Sequence, residues 1–141
     1  MRLQPLLNQS TIEQLVSEIV LSDQKTLKEE KVYEWEKGLR PNNTLIGNYR
    51  DAEYAIFKER LNPLANGHVD LLYTRQTARS LFVQKGTKER GFIFGMNDVH
   101  NLVGRYGLDI LGLNEETFLK RQNDIYKFTL VYKIKKDYKI A

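Results

Sequence analysis

The chain has 141 residues, 41% of them hydrophobic and 28% charged, with a net charge of +4 and no cysteine. That length suits one domain with one core, the composition is that of a globular chain, and no run of roughly 20 apolar residues is available to span a bilayer. The absence of cysteine excludes a disulfide framework and any thiolate metal site.

A single soluble domain over residues 1–141 is therefore predicted. Residues 1–8 hold one Arg and a brief apolar patch broken by Pro5, without the continuous apolar core of a signal peptide, so export by that route is not expected. The charge is uneven: residues 1–60 carry nine Lys/Arg against ten Asp/Glu, residues 61–118 six against six, and residues 119–141 seven against two. A basic C-terminal segment, 125–141, could meet phosphates or an acidic protein surface, although a lysine-rich end is more often simply solvated.

In chain order, Ser10 with Glu13 forms a capping box that starts a helix. Ile12, Leu15, Val16, Ile19 and Val20 recur at helical spacing on its inner face, with Glu13, Gln14, Ser17 and Glu18 on the other. Good helix formers continue the helix, with or without a break, to Lys37, and Gly38 suits a left-handed C-terminal cap. Residues 38–50, rich in Pro and Asn, read as an extended loop or a short hairpin.

Asp51 caps a second helix carrying Ala52, Ala55, Ile56 and Leu61, which Pro63 ends. Asn66-Gly67 marks a turn, and Thr74 caps one or two helical turns reaching Arg79. Leu81-Phe82-Val83 and Gly91-Phe92-Ile93-Phe94 form a hairpin around a turn at 86–89. Val99 to Tyr106 is a short helix ending at Gly107, and Asn114 with Glu115 and Glu116 opens another. In the last segment Phe128, Leu130, Tyr132 and Ile134 alternate with Lys127, Thr129, Val131 and Lys133, the pattern of an amphipathic strand. The fold class is α+β: a long N-terminal helix and short helices packed on a small antiparallel sheet.

Catalytic patterns are missing. His68 and His100 sit in separate polar segments with nothing to pair them, and His68 reads as an exposed loop residue. Asp98 and His100 lack a third ligand at metal-binding spacing. Glu29/Glu30 and Glu115/Glu116 diverge by about 100° on their helices and read as solvated charges. Ser10 and Ser80 lack a nucleophile elbow, and Gly86-Thr87-Lys88 lacks the preceding glycine of a phosphate-binding loop. Arg75, Arg79, Lys85, Lys88 and Arg90 gather around the hairpin with Tyr73 and Phe82, as a surface for RNA would, although Phe82 also alternates as a core strand residue does. No cofactor, metal or catalytic residue is assigned.

Three stretches carry a resemblance. The first is Glu36-Lys37-Gly38, the loop to Gly47-Asn48-Tyr49 and the Tyr54 to Pro63 segment. The second is Gly67-His68-Val69-Asp70-Leu71-Leu72-Tyr73-Thr74 through Arg79-Ser80-Leu81-Phe82-Val83. The third is Tyr106-Gly107-Leu108-Asp109-Ile110-Leu111-Gly112-Leu113-Asn114-Glu115-Glu116. Together, over about 80 residues within 36–119, they resemble small virion proteins of tailed phages in the neck or tail-completion group, crAss-like versions from phages of Bacteroidetes hosts among them. Where that family has a Thr-Gly turn this chain has Thr74-Arg75, and glycine reaches backbone conformations that arginine avoids.

The resemblance implies a structural virion protein and no enzyme: a ring-forming subunit of the neck, the head-tail connector or tail-completion region, assembled in the host bacterial cytoplasm. Its partners would be its own copies and neighbouring neck, portal or tail rings, with nonspecific contact to channel DNA and no membrane. It also implies a helical C-terminal segment, against the strand pattern there. Head-to-tail contacts that close make rings. Aromatic residues and Arg favour interface cores, so Leu39, Arg40, Tyr49 and Arg50 of the loop are candidate contacts, and the basic surface of Lys133, Lys135, Lys136 and Lys139 would face an acidic neighbour or DNA. The alternative is a small basic RNA- or DNA-binding module, in the extreme a toxin-like ribonuclease using Arg75 and Arg79.

Overall fold

A computed structural model describes residues 8–72, 75–85 and 92–138, and the fold is α+β. Helix α1 (Gln9–Ser22) begins two residues earlier than the capping box indicates. The Asn8 side chain accepts from the Thr11 backbone N–H at 2.9 Å, leaving Ser10 inside the first turn, while Glu13 is engaged by Gln9. Leu15, Ile19 and Val20 face inward as expected. Ser17, expected on the solvent side, is buried as well, because α1 is flanked by several elements rather than one.

The chain breaks at Asp23 before α2 (Gln24–Glu36). The Asp23 carboxylate is held from far away in sequence by the Arg121 guanidinium, with Nε at 3.0 Å, and by the Tyr126 hydroxyl. Leu27 and Trp35 of α2 are wholly buried, and so is Lys31. Gly38 then takes a left-handed conformation, φ +71°, and a Cβ there would lie 2.8 Å from the Val69 carbonyl oxygen. A Gly38→Ala variant is expected to lose roughly 1–2 kcal/mol from the backbone conformation alone, and more from the clash, as a lowered midpoint in urea denaturation.

Residues 39–46 form the short hairpin, with a Leu39–Leu45 bridge, Arg40 N–H donating to Thr44 and Ile46 N–H to Gly38. Asp51 caps α3 (Ala52–Leu61) through Glu53 and Tyr54 N–H, as expected. The predicted apolar set of this helix does not face inward. Ala52, Ile56 and Leu61 are exposed, Ala55 is half-buried, and Lys58 is the buried residue. A one-turn 3-10 helix (Pro63–Ala65) follows, and Asn66 and Gly67 turn with positive φ.

Tyr73 and Thr74, with the expected cap, lie outside the described residues. Arg75 adopts φ +61° despite being no glycine, and α4 (Gln76–Ser80) starts directly after it. Strands β1 (Phe82–Lys85) and β2 (Phe92–Gly95) pair antiparallel with Val83 opposite Phe94 and Lys85 opposite Phe92. Val83, Phe92 and Phe94 point into the core; Phe82, on the opposite face by the two-residue period, is exposed and lies over Gly95, so it is not a core residue. The turn at 86–89 lies outside the described residues.

Helix α5 (Leu102–Tyr106) starts later than expected, because the Asp98 carboxylate accepts from Leu102 and Val103 N–H and Asn101 sits at positive φ. Asn114 caps α6 (Glu115–Arg121) as expected. A π turn (Gln122–Tyr126) then runs straight into α7 (Lys127–Asp137). The strand pattern at 128–134 is thus overturned. Tyr126, Leu130 and Ile134 are four apart and share the inward side of a helix, packing toward α1, whereas Phe128 and Tyr132 are left outside.

One continuous cluster, including Ile19, Leu27, Trp35, Leu71, Phe92, Ile110 and Phe118, forms the core of the described residues. Among these residues no helix is long and apolar enough to cross a membrane.

Candidate interaction surface

The loop that carries the candidate contacts is pinned to the fold. Arg40 Nη1 donates to the Tyr106 carbonyl at 2.6 Å and to Asp109 Oδ1 at 2.8 Å, while Nη2 donates to the Ile46 carbonyl at 3.2 Å. Asn114 Nδ2 donates to the Pro41 carbonyl at 2.8 Å and to Asn43. Arg40 therefore clamps the hairpin to the 106–114 segment. Leu39 is half-buried beside it.

Tyr49 is also half-buried, packed edge-on against Tyr54 with ring centroids 4.9 Å apart. Both line a cleft of about 390 Å³ with Asp70, His100, Arg105 and Tyr106. Burial, and then the Asp70 carboxylate, push the Tyr49 hydroxyl up to about 12. A raised tyrosine keeps its proton when folded but loses it near pH 10 when unfolded, so its contribution is intact below pH 10 and is lost as pH rises toward 12. Thermal melts of Tyr49→Phe across that window should show a shallower loss of stability than the parent.

Of the four loop candidates only Arg50 is exposed, and it makes no ion pair among the described residues. In the basic segment, Lys133 approaches Glu18 at 3.9 Å, Lys135 and Lys136 are exposed, and Lys139 lies outside the described residues. His68 is half-buried, its ring nitrogen bonded to the Asn48 side chain. Arg75 pairs loosely with Glu36 at 3.6 Å, and Arg79 lines an open groove with Lys25 and Lys28. Lys88 and Arg90 lie outside the described residues. No group of three potential metal ligands occurs among the described residues.

Two exposed apolar faces stand out instead. On α3, Ile56, Phe57 and Leu61, with Leu64 in the turn beyond, are 51% to 65% exposed. The cause is local. Lys58 Nζ donates to the buried Asp70 carboxylate at 2.8 Å, and Asn62 Nδ2 bonds the same carboxylate and the Glu36 carbonyl, so the polar side of α3 is drawn inward. On α7, Phe128, Val131 and Tyr132 are 50% to 71% exposed. Apolar residues presented together in this way mark interaction sites more often than single exposed ones do.

The two faces differ in charge. Glu53 and Arg60, each three or four residues from Ile56 and Phe57, flank the α3 face with opposite charges, whereas Lys127, Lys135 and Lys136 surround the α7 face, none of the three lysines in an ion pair among the described residues. Both faces escaped the sequence reading. The signal available for α3 was the Phe57, Leu61, Leu64 spacing, which by itself also fits a core stripe. Comparisons with protein families, curated proteins and solved structures gave no match.

Proposed function

We propose that this chain is a structural virion subunit that works by assembly, a ring-forming component of the neck of a tailed phage. The observation that supports the reading is the pair of exposed apolar faces on separate helices, α3 and α7, with different charged surroundings. A chain carrying two unlike contact faces suits head-to-tail assembly, and head-to-tail contacts that close make rings. The resemblance over residues 36–119 supplies the location at the head-tail junction. Self-contact and contact with the next ring would then fall to helices, with the hairpin at 39–46 serving as an internal clamp.

A second reading has its own support: Phe128 and Tyr132 among Lys127, Lys135 and Lys136 resemble the mixture of aromatic and basic groups that stacks and neutralises a single strand. Native mass spectrometry of the chain, alone and with short RNA and DNA at physiological salt, separates the two. Closed oligomers without nucleic acid are expected. A monomer whose binding to RNA or DNA falls steeply with salt, or that cleaves RNA, would contradict the neck reading.

A further inference from the structure

The geometry points to a binding site for a small aromatic anion, a flat ring joined to one carboxylate or phosphate, in the cleft between α3, the 69–71 segment and α5. The cleft volume of about 390 Å³ lies in the range of small-molecule sites. Val69, Leu71 and Leu102 form an apolar floor, and all three belong to the packed core, so the cleft exists before anything enters it.

Tyrosines from three separate segments make the walls: Tyr49 from the loop, Tyr54 from α3 and Tyr106 from the end of α5. Each is half-buried. The Tyr49 and Tyr54 rings stand at 89° to one another, which gives an occupant both a ring face and a ring edge to pack against. Offset stacking and edge-on contact with such surfaces favour a flat ring over an aliphatic body of the same size.

Charge decides the sign of the occupant. Arg105 lines the cleft from the solvent side, its guanidinium 5.2 Å from the centre of the Tyr106 ring and its Nη2 donating to the Tyr106 hydroxyl at 3.3 Å. It makes no ion pair among the described residues. Asp70, the carboxylate among the lining residues, is already engaged: one oxygen accepts from Lys58 Nζ and the Leu72 N–H, the other from Asn62. Asp98 and Asp109, which flank α5, are held by the Leu102 and Val103 N–H groups and by Arg40. A cation entering the cleft finds the lining carboxylate taken, whereas an anion meets a guanidinium whose remaining N–H groups fork toward a carboxylate or phosphate. This site is independent of the assembly reading, which native mass spectrometry tests by itself.

Amide NMR spectra of the full chain, titrated with two matched pairs of probes, test the site. Indoleacetate is compared with tryptamine, and adenosine monophosphate with adenosine. At least one anionic probe should move the amides of residues 47–54, 69–71 and 100–106 with a Kd of about 1 mM or below, and its cationic or neutral counterpart should bind roughly tenfold more weakly. The pair that responds tells carboxylate from phosphate. Tyr54→Ala should weaken binding by about tenfold while leaving the order of the probes unchanged.

Arg105→Glu should reverse the order, so that tryptamine binds better than indoleacetate, a result that a merely structural role for Arg105 does not produce. Arg105 is exposed, and amides outside the cleft report whether the variant keeps its fold; if it does not, Arg105→Gln should abolish the preference between the members of each pair. No movement of these amides by either anion up to about 10 mM, equal binding of the uncharged or cationic counterparts, or an unchanged order in both Arg105 variants overturns the inference.

Discussion

Replacing Glu34 with alanine is expected to lower the unfolding free energy by about 3–5 kcal/mol, the range for breaking a buried ion pair from one side. Glu34 Oε2 accepts from Lys31 Nζ at 2.8 Å and Oε1 accepts from the Asn114 backbone N–H at 2.6 Å. Lys31 has no exposed surface, and its Nζ lies 5.7 Å from the centre of the Trp35 ring. Without Glu34 a buried ammonium loses its counter-charge and a buried N–H loses its acceptor.

The pH dependence carries the signature. Burial already holds Lys31 below its usual 10.5, with Glu34 opposing that shift. A lysine whose folded pKa is lowered binds fewer protons folded than unfolded, so stability rises with pH up to 10.5. Removing Glu34 should make that rise steeper. The double variant Lys31→Met, Glu34→Gln should cost less than Glu34→Ala, because no buried charge remains and the amide oxygen can still receive the Asn114 N–H. Urea unfolding followed by Trp35 fluorescence measures all three; a Glu34→Ala loss within the range of an exposed pair, about 1 kcal/mol or less, would show that Lys31 and Glu34 are not buried together.

Trp35→Ala should be as damaging, about 3–5 kcal/mol for a large aromatic ring removed from a packed interior. Trp35 has no exposed surface, and its Nε1 donates to the Ile110 carbonyl at 3.1 Å. It is the one tryptophan in the chain, so circular dichroism must follow this variant. Trp35→Phe keeps most of the ring and drops the donor, and should lose only about 1 kcal/mol beyond the packing change. Because domains are stable by roughly 5–15 kcal/mol in all, Trp35→Ala or Glu34→Ala would leave little in reserve. Both act on one assembly, in which α2 grips the 110–114 segment that precedes α6.

Local chemistry was readable where it acts over a few residues. Asp51 and Asn114 as caps, Pro63 as a stop, Gly38 at positive φ and the β1–β2 hairpin all depend on neighbours in sequence. The start of α1 was misplaced by two residues because Asn8 and Ser10 are both good caps, and only the geometry shows which accepts from Thr11. The C-terminal helix was misread for a different reason. Alternation at 128–134 satisfies a period of two, yet Tyr126, Leu130 and Ile134 satisfy a spacing of four, and the packing against α1 that decides between them is more than 100 residues away in sequence.

The two exposed apolar faces were illegible for the same cause. Arg40 reads as a free loop cation until Tyr106 and Asp109 come within reach, and a lysine such as Lys31 or Lys58 looks solvated until Glu34 or Asp70 is found buried beside it. Drawing Lys58 inward is what turns Ile56, Phe57 and Leu61 outward. A helical wheel places apolar residues inside by default, so it reverses α3.

The most direct test of the proposed neck role is electron cryomicroscopy of particles purified from the host in which this chain is made. The predicted result is a closed ring of identical copies at the head-tail junction, with the 39–46 hairpin folded back onto 106–114. Purified, infectious particles in which no copy of the chain is present would contradict the account.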